Sequence, residues 1–190
     1  MSQPATDFAK EWNARFGHIP PLGYLLRFEL PDRWTRFHAL PGSKRSAQTS
    51  AEQDEVLRRA NALAAAIFAE STSLWLCVPV YPGSHGAGRK LINQFGLTPA
   101  LTWTDPTDPP DERTEVIFHA AQLDWAPNVV DPVVLSVAKG EAQAVIFCPE
   151  SGLVLSPYEG GFDLILDTSD RVRQIEHDFS GWMSDRPDKL

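Results

Sequence analysis

From Ala144 to Asp167 the chain alternates short β-forming runs with turn chemistry so closely that an antiparallel meander is the reading that fits it. Ala144-Val145-Ile146-Phe147-Cys148 is an apolar strand run, Pro149-Glu150-Ser151-Gly152 is a turn, and Leu153-Val154-Leu155 resumes the strand. Pro157-Tyr158-Glu159-Gly160-Gly161 then reads as a glycine-hinged loop before a third strand, Phe162-Asp163-Leu164-Ile165-Leu166. The segment sets Tyr158, Glu159 and Asp163 beside flexible backbone, yet it carries no reaction signature of its own.

Elsewhere, periodicity and capping chemistry predict four helices. Thr6 caps a short one with Phe8, Trp12 and Phe16 on one face and Gly17 at its end. Ser50-Ala51-Glu52-Gln53 reads as a capping box, followed at helical spacing by Val56, Leu57, Ala60, Leu63, Ala64, Ile67 and Phe68. Asp131-Pro132 opens a third helix that Lys139-Gly140 closes, and Asp167 or Thr168 opens a fourth with Val172, Ile175, Phe179 and Trp182 or Met183 inward. Further strands are predicted near Leu22 to Phe28, Trp34 to Ala39, Leu74 to Tyr81, Ala100 to Thr104 and Glu115 to Ala120. Helices and strands do not alternate strictly. The expected fold is therefore α+β: one domain over residues 1–190, a mainly antiparallel or mixed sheet with about four packed helices.

The size and apolar content suffice for one core. The net charge of −8 is uneven, with a balance of +2 over residues 1 to 60 and −10 over residues 61 to 190. Such a surface repels nucleic acid, whose binding is dominated by phosphate neutralisation, and suits a basic protein partner or plain solubility. Asp105 to Arg113, rich in proline and acids, reads as an exposed loop. Cys77 and Cys148 lie in apolar runs, where a buried cysteine acts as a small hydrophobe. Met1 to Lys10 lacks the apolar stretch of a secretory signal, and no run approaches the roughly 20 apolar residues of a membrane span. A soluble cytoplasmic protein is the expectation.

Catalytic and cofactor motifs are each missing a part. Gly83-Ser84-His85-Gly86-Ala87-Gly88-Arg89-Lys90 follows a strand as a phosphate loop does, but Arg89 and Lys90 occupy the places of the lysine and the hydroxyl that hold phosphates and magnesium. It reads as a surface loop. His18, His38, His85, His119 and His177 are scattered without the spacing of a zinc site, and His119 reads as a satisfied sheet histidine. No metal or cofactor is predicted. The one basic concentration is Arg33, Arg36, His38, Lys44 and Arg45. On a strand, Trp34, Arg36 and His38 point one way and Thr35, Phe37 and Ala39 the other. Arg36 and His38 would thus converge with Lys44 and Arg45 on an anion or carboxylate, the plainer alternative being pairing with the protein's own acids. Asp163 is a charge inside an apolar run, which simple alternation exposes to water unless a partner or pocket claims it.

Two of these segments together resemble an uncharacterised bacterial family of domains of unknown function. Its pattern joins Arg-x-His-x-Leu-Pro-x-Ser-Lys-Arg, matched here from Arg36 to Arg45, to a late Pro-Tyr-Asp-Gly-Gly-x-Asp segment, matched from Pro157 to Asp163. Glu159 stands where that pattern has Asp, and Phe162 where it has a small residue. The similarity spans roughly the first 70 residues and the last 50, and it implies no reaction. Two functional expectations follow. The first is a non-enzymatic binding or immunity-like accessory protein whose acidic surface meets a basic partner. The second is a small-molecule site, for an anionic ligand or for acid–base catalysis, in which Arg36, His38, Lys44 and Arg45 face Tyr158, Glu159 and Asp163.

Overall fold

The meander is the frame on which the rest is hung. In the computed structural model, which describes residues 3–68, 73–83, 86–109, 111–184 and 186, strands β5 (Val145–Phe147), β6 (Val154–Tyr158) and β7 (Gly161–Ile165) pair antiparallel in sequence order. With β1 (Trp34–His38), β2 (Ser73–Val80), β3 (Thr98–Thr104) and β4 (Glu115–Asp124) they make a seven-stranded sheet in the order β1-β7-β6-β5-β2-β4-β3. Every neighbouring pair is antiparallel. The strands reach further than the sequence predicts at the β6–β7 turn: Pro157 and Tyr158 belong to β6 and Gly161 to β7, so the predicted loop shrinks to Glu159-Gly160.

Among the described residues six α-helices cover the two faces, against four helices expected. On one face, α1 (Gln3–Phe16) sets Phe8, Trp12 and Phe16 against Trp75 and Phe147, with the Trp12 indole N–H donating to the Ile19 carbonyl at 2.8 Å. The helix starts at Gln3, so Thr6 lies inside it and is not its cap, while Gly17 (φ +61°) ends it as expected. Beside it, Leu22 to Phe28, read as a strand, is instead helix α2 (Gly23–Glu29). Leu22 and Leu26 bury one turn apart, and Tyr24 and Phe28 are left 45% and 67% exposed, a helical pattern that the β-forming composition hides. Glycine lets this helix start against the sheet, because a Cβ on Gly23 would lie 2.1 Å from Ser156 Oγ.

The opposite face carries α3 (Ser50–Phe68), α4 (Ala87–Phe95), α5 (Asp131–Ala138) and α6 (Ser169–Asp178). The predicted apolar stripe of α3 is buried, but its cap sits one residue earlier than expected. Thr49 Oγ1 accepts the Glu52 N–H at 3.2 Å, and the Glu52 carboxylate accepts the Gln48 N–H at 2.7 Å. A carboxylate answers the helix N-terminus better than the neutral Gln53 would. Asp131 begins α5 without capping it, since its Oδ1 accepts from Asn61 Nδ2 on α3 at 2.7 Å. Thr168 caps α6, accepting from the Arg171 N–H. Much of the predicted glycine loop is helix α4, which buries Leu91 and stops at Gly96 (φ +63°); Ser84 and His85 fall outside the described residues. No helix among the described residues is long and apolar enough to cross a membrane.

Candidate functional site

Strand register brings the two singled-out segments together. In the β1–β7 pair Arg36 lies opposite Asp163 and His38 opposite Gly161. Arg36 donates from Nε and Nη2 to the two Asp163 carboxylate oxygens, each at 2.7 Å, and Trp34 Nε1 donates to Oδ1 at 2.9 Å. This two-pronged, charge-assisted pairing is the strong kind. Asp163 is therefore 4% exposed and not turned to water, because α2 and the neighbouring strands close over the face that alternation gives it. Burial disfavours the Arg36 charge, but the hydrogen bonds and charge of Asp163 outweigh it and hold its pKa up. The same guanidinium sits 4.2 Å from the centre of the Tyr158 ring, a cation–π stack. Burial is the largest influence on the Tyr158 hydroxyl, whose pKa is pushed up to about 12.

The turn after β1 completes one wall. Pro41 to Ser43 form a single 3-10 turn in which Gly42 (φ +64°) and Ser43 (φ +57°) are both left-handed. That conformation, uncommon for serine, returns Ser43 Oγ to within 3.2 Å of His38 Nε2. The His38 carbonyl in turn accepts from Arg59 Nη1 at 2.9 Å, tying the strand end to α3. Lys44 leaves the group: its ammonium pairs with Glu52 at 2.5 Å. Arg45 stays, its stem lying along the β6–β7 turn, where a Cβ on Gly160 would come within 3.7 Å of Arg45 Cγ.

Arg27 is a member that the sequence reading missed. Helix α2 places its guanidinium 4.9 Å from the Phe28 ring and 5.7 Å from the Trp34 ring. Read as part of a strand, it had no reason to meet Arg36; spacing of Leu22 and Leu26 is the signal that would have found it. Arg27, Arg36, His38, Ser43, Arg45, Tyr158 and Gly160 line one cleft of about 400 Å³. A second cavity of about 310 Å³ shares Arg36 and Tyr158 with it and reaches Ser156, Val145 and Pro21. Glu159 is exposed on the rim of this second cavity and makes no ion pair with the arginines among the described residues.

Charge accounting sets what the cleft can do. Asp163 neutralises Arg36, whereas Arg27 and Arg45 make no ion pair among the described residues. Burial, and then the charges of Arg36 and Arg59, lower the His38 pKa, so the imidazole is neutral near pH 7. Among the described residues no histidine–carboxylate couple forms here: His38 meets the Ser43 hydroxyl, and Asp163 is taken by Arg36 and Trp34. Away from the cleft, His119 is not fully satisfied, its Nδ1 being buried without a hydrogen-bond partner among the described residues. Burial also lowers its pKa.

No curated protein and no solved structure matches this chain. A family model does, and it reaches through the middle segment that the motif resemblance had left out. With residues 22–187 matched, α2, both strands of the Arg36–Asp163 pair and the Pro41–Ser43 turn all fall inside it, and the chain belongs to the family described as Domain of unknown function (DUF3885).

Proposed function

We propose that this protein binds a small anionic ligand in the cleft between α2, the turn after β1 and the β6–β7 turn. The observation that carries the reading is the pair Arg27 and Arg45, which line one cleft beside Arg36 and have no acidic partner among the described residues, in a protein of net charge −8. The carboxylates nearest the cleft leave these two cations unanswered, Asp163 being taken by Arg36 and Glu159 making no ion pair among the described residues. Guanidinium forks match the oxygens of carboxylate and phosphate, and the Tyr158 phenol and Ser43 hydroxyl beside them add polar groups and a stacking surface. Arg36 is locked by Asp163, so its orientation is already fixed before a ligand arrives. Binding is favoured over acid–base catalysis because, among the described residues, His38 meets a hydroxyl and no carboxylate. The alternative of an accessory protein with a basic partner rests on charge balance alone and ranks second.

A ligand that binds only the folded protein raises its apparent stability by mass action. Thermal unfolding at low salt in the presence of inorganic phosphate or citrate is therefore expected to shift upward relative to chloride at matched ionic strength. The double variant Arg27→Ala/Arg45→Ala, altered only at side chains without ion pairs, is expected to fold and to lose the shift. An equal response from the double variant, or no response from the unaltered chain, would overturn the reading.

A further inference from the structure

The cleft and the cavity beside it together specify a ligand class more narrowly than charge alone. Two guanidinium charges, those of Arg27 and Arg45, have no ion-pair partner among the described residues, where Arg36 is already closed by Asp163. A monocarboxylate would leave one of them unanswered. A phosphate monoester carries about −1.5 to −2 charges near neutral pH and answers both. Inorganic phosphate alone, however, would leave the adjoining cavity of about 310 Å³ unused. Pro21, Leu22, Val137, Val145 and Pro157 give it an apolar side, Tyr24, Gln143 and Ser156 supply neutral polar groups, and two carboxylates border it, Asp163 already held by Arg36 and Trp34 and Glu159 at the exposed rim. That mixture, an apolar side with a few polar groups, is how sites for compact organic bodies are built. The Tyr158 ring and the Arg36 guanidinium border both spaces, giving a planar group a surface to lie on where the two meet.

We infer that the ligand is a phosphate monoester with a compact, largely apolar organic part, its phosphate at Arg27 and Arg45 and its body past Tyr158 in the slot lined by Pro21 and Val145. The inference rests on the anion-binding reading and adds to it both the charge of the head and the presence of a body. Its first consequence is a ranking of ligands. Calorimetric titration of the full chain at low salt with 1-naphthyl phosphate, inorganic phosphate and 1-naphthoate is expected to show the first binding at least about tenfold more tightly than either of the others, a modest return for burying one apolar ring system.

Ala142 lines the slot on a half-buried loop position, whereas Arg27 and Arg45 line the cleft and not the slot, so Ala142→Phe is designed to fill the slot and leave the phosphate position open. This variant is expected to bind inorganic phosphate as the unaltered chain does and to lose the advantage of the naphthyl group. Should it fail to fold, the affinity ratios on the unaltered chain decide alone. Equal affinity for inorganic and naphthyl phosphate would remove the body, and equal affinity for naphthoate and naphthyl phosphate would remove the dianionic head. Either result leaves simple anion binding standing. If none of the three compounds binds, the anion-binding reading falls together with this one.

Discussion

Gly161 is the residue on which the candidate site closes. A Cβ there would lie 2.1 Å from the Phe37 carbonyl oxygen and 2.8 Å from the Tyr158 hydroxyl, one a backbone atom of the edge strand and the other part of the cleft wall. The restriction is steric, since the clash is with a neighbouring strand and not with the glycine's own backbone torsions. Gly160 next to it is more forgiving, its nearest neighbour being a Tyr158 ring carbon at 3.2 Å. Gly161→Ala must therefore push β1 away from β7 or displace Tyr158, and either movement disturbs the Arg36–Asp163 pairing two residues along. The expected cost is about 2–4 kcal/mol, read from urea unfolding, with a parallel loss of phosphate affinity. A change within about 0.5 kcal/mol would show that β1 yields freely and that the cleft wall is not held by this contact.

Helix α3 links the site to the C-terminal turn through Glu55. Its carboxylate accepts from Arg58 at 2.6 and 2.7 Å and from buried Arg59 at 2.7 Å, and both guanidiniums lie 5.1 Å from the Trp182 ring. Arg59 also holds the His38 carbonyl, so one carboxylate ties α3 to β1 and to the C-terminal turn. Hydrogen bonding from Arg58 is the largest of the influences that lower the Glu55 pKa, from 4.5 to about 2. A carboxylate depressed by folding contributes stability above its unfolded pKa, and that contribution is lost as pH falls through the folded value. Glu55→Gln is accordingly expected to cost about 1–2 kcal/mol at pH 7, less than a fully buried pair because the carboxylate is partly exposed. The gap to the unaltered chain should close between pH 4.5 and pH 2, and a gap that stays constant over that range would sink the account. Such ties were poorly legible in the sequence, where Glu55 is one acid among many, whereas the long apolar stripe of α3 and the turn chemistry of the meander were plain. What hid α2 and α4 was local: the aromatic and leucine run from Leu22 to Phe28 suits a strand, and the glycines before Leu91 suggest a loop. The Arg36–Asp163 alignment was readable as two segments of matching chemistry. The departure of Lys44 was not, because it depends on a cap carboxylate eight residues away winning the ammonium.

Across the whole molecule, topology places the site at one edge of the sheet and leaves the other edge bare of it. β1 and β3 are the two edge strands, while β2, β5 and β6 each have neighbours on both sides and helices above and below. Exposed and half-buried residues make up β3, with a register shift between Pro99 and Leu101, so it opens at low cost. β1 is better held: Arg33 and Leu166 exchange backbone and side-chain hydrogen bonds at its start, and the Ala39 N–H donates to the Gly160 carbonyl just past its end. Native-state hydrogen exchange is thus expected to find the slowest amides in β2, β5 and β6, with β3 exchanging through local opening and β1 in between. Phosphate bound at Arg27 and Arg45 would bridge α2 to the turn that follows β1, restraining that edge alone. Its addition should slow the amides of β1 and of residues 41–45 while leaving those of β3 almost unchanged. Equal slowing at the two edges would place the anion elsewhere on the molecule, since a ligand acts on a local opening only where that opening breaks its own contacts.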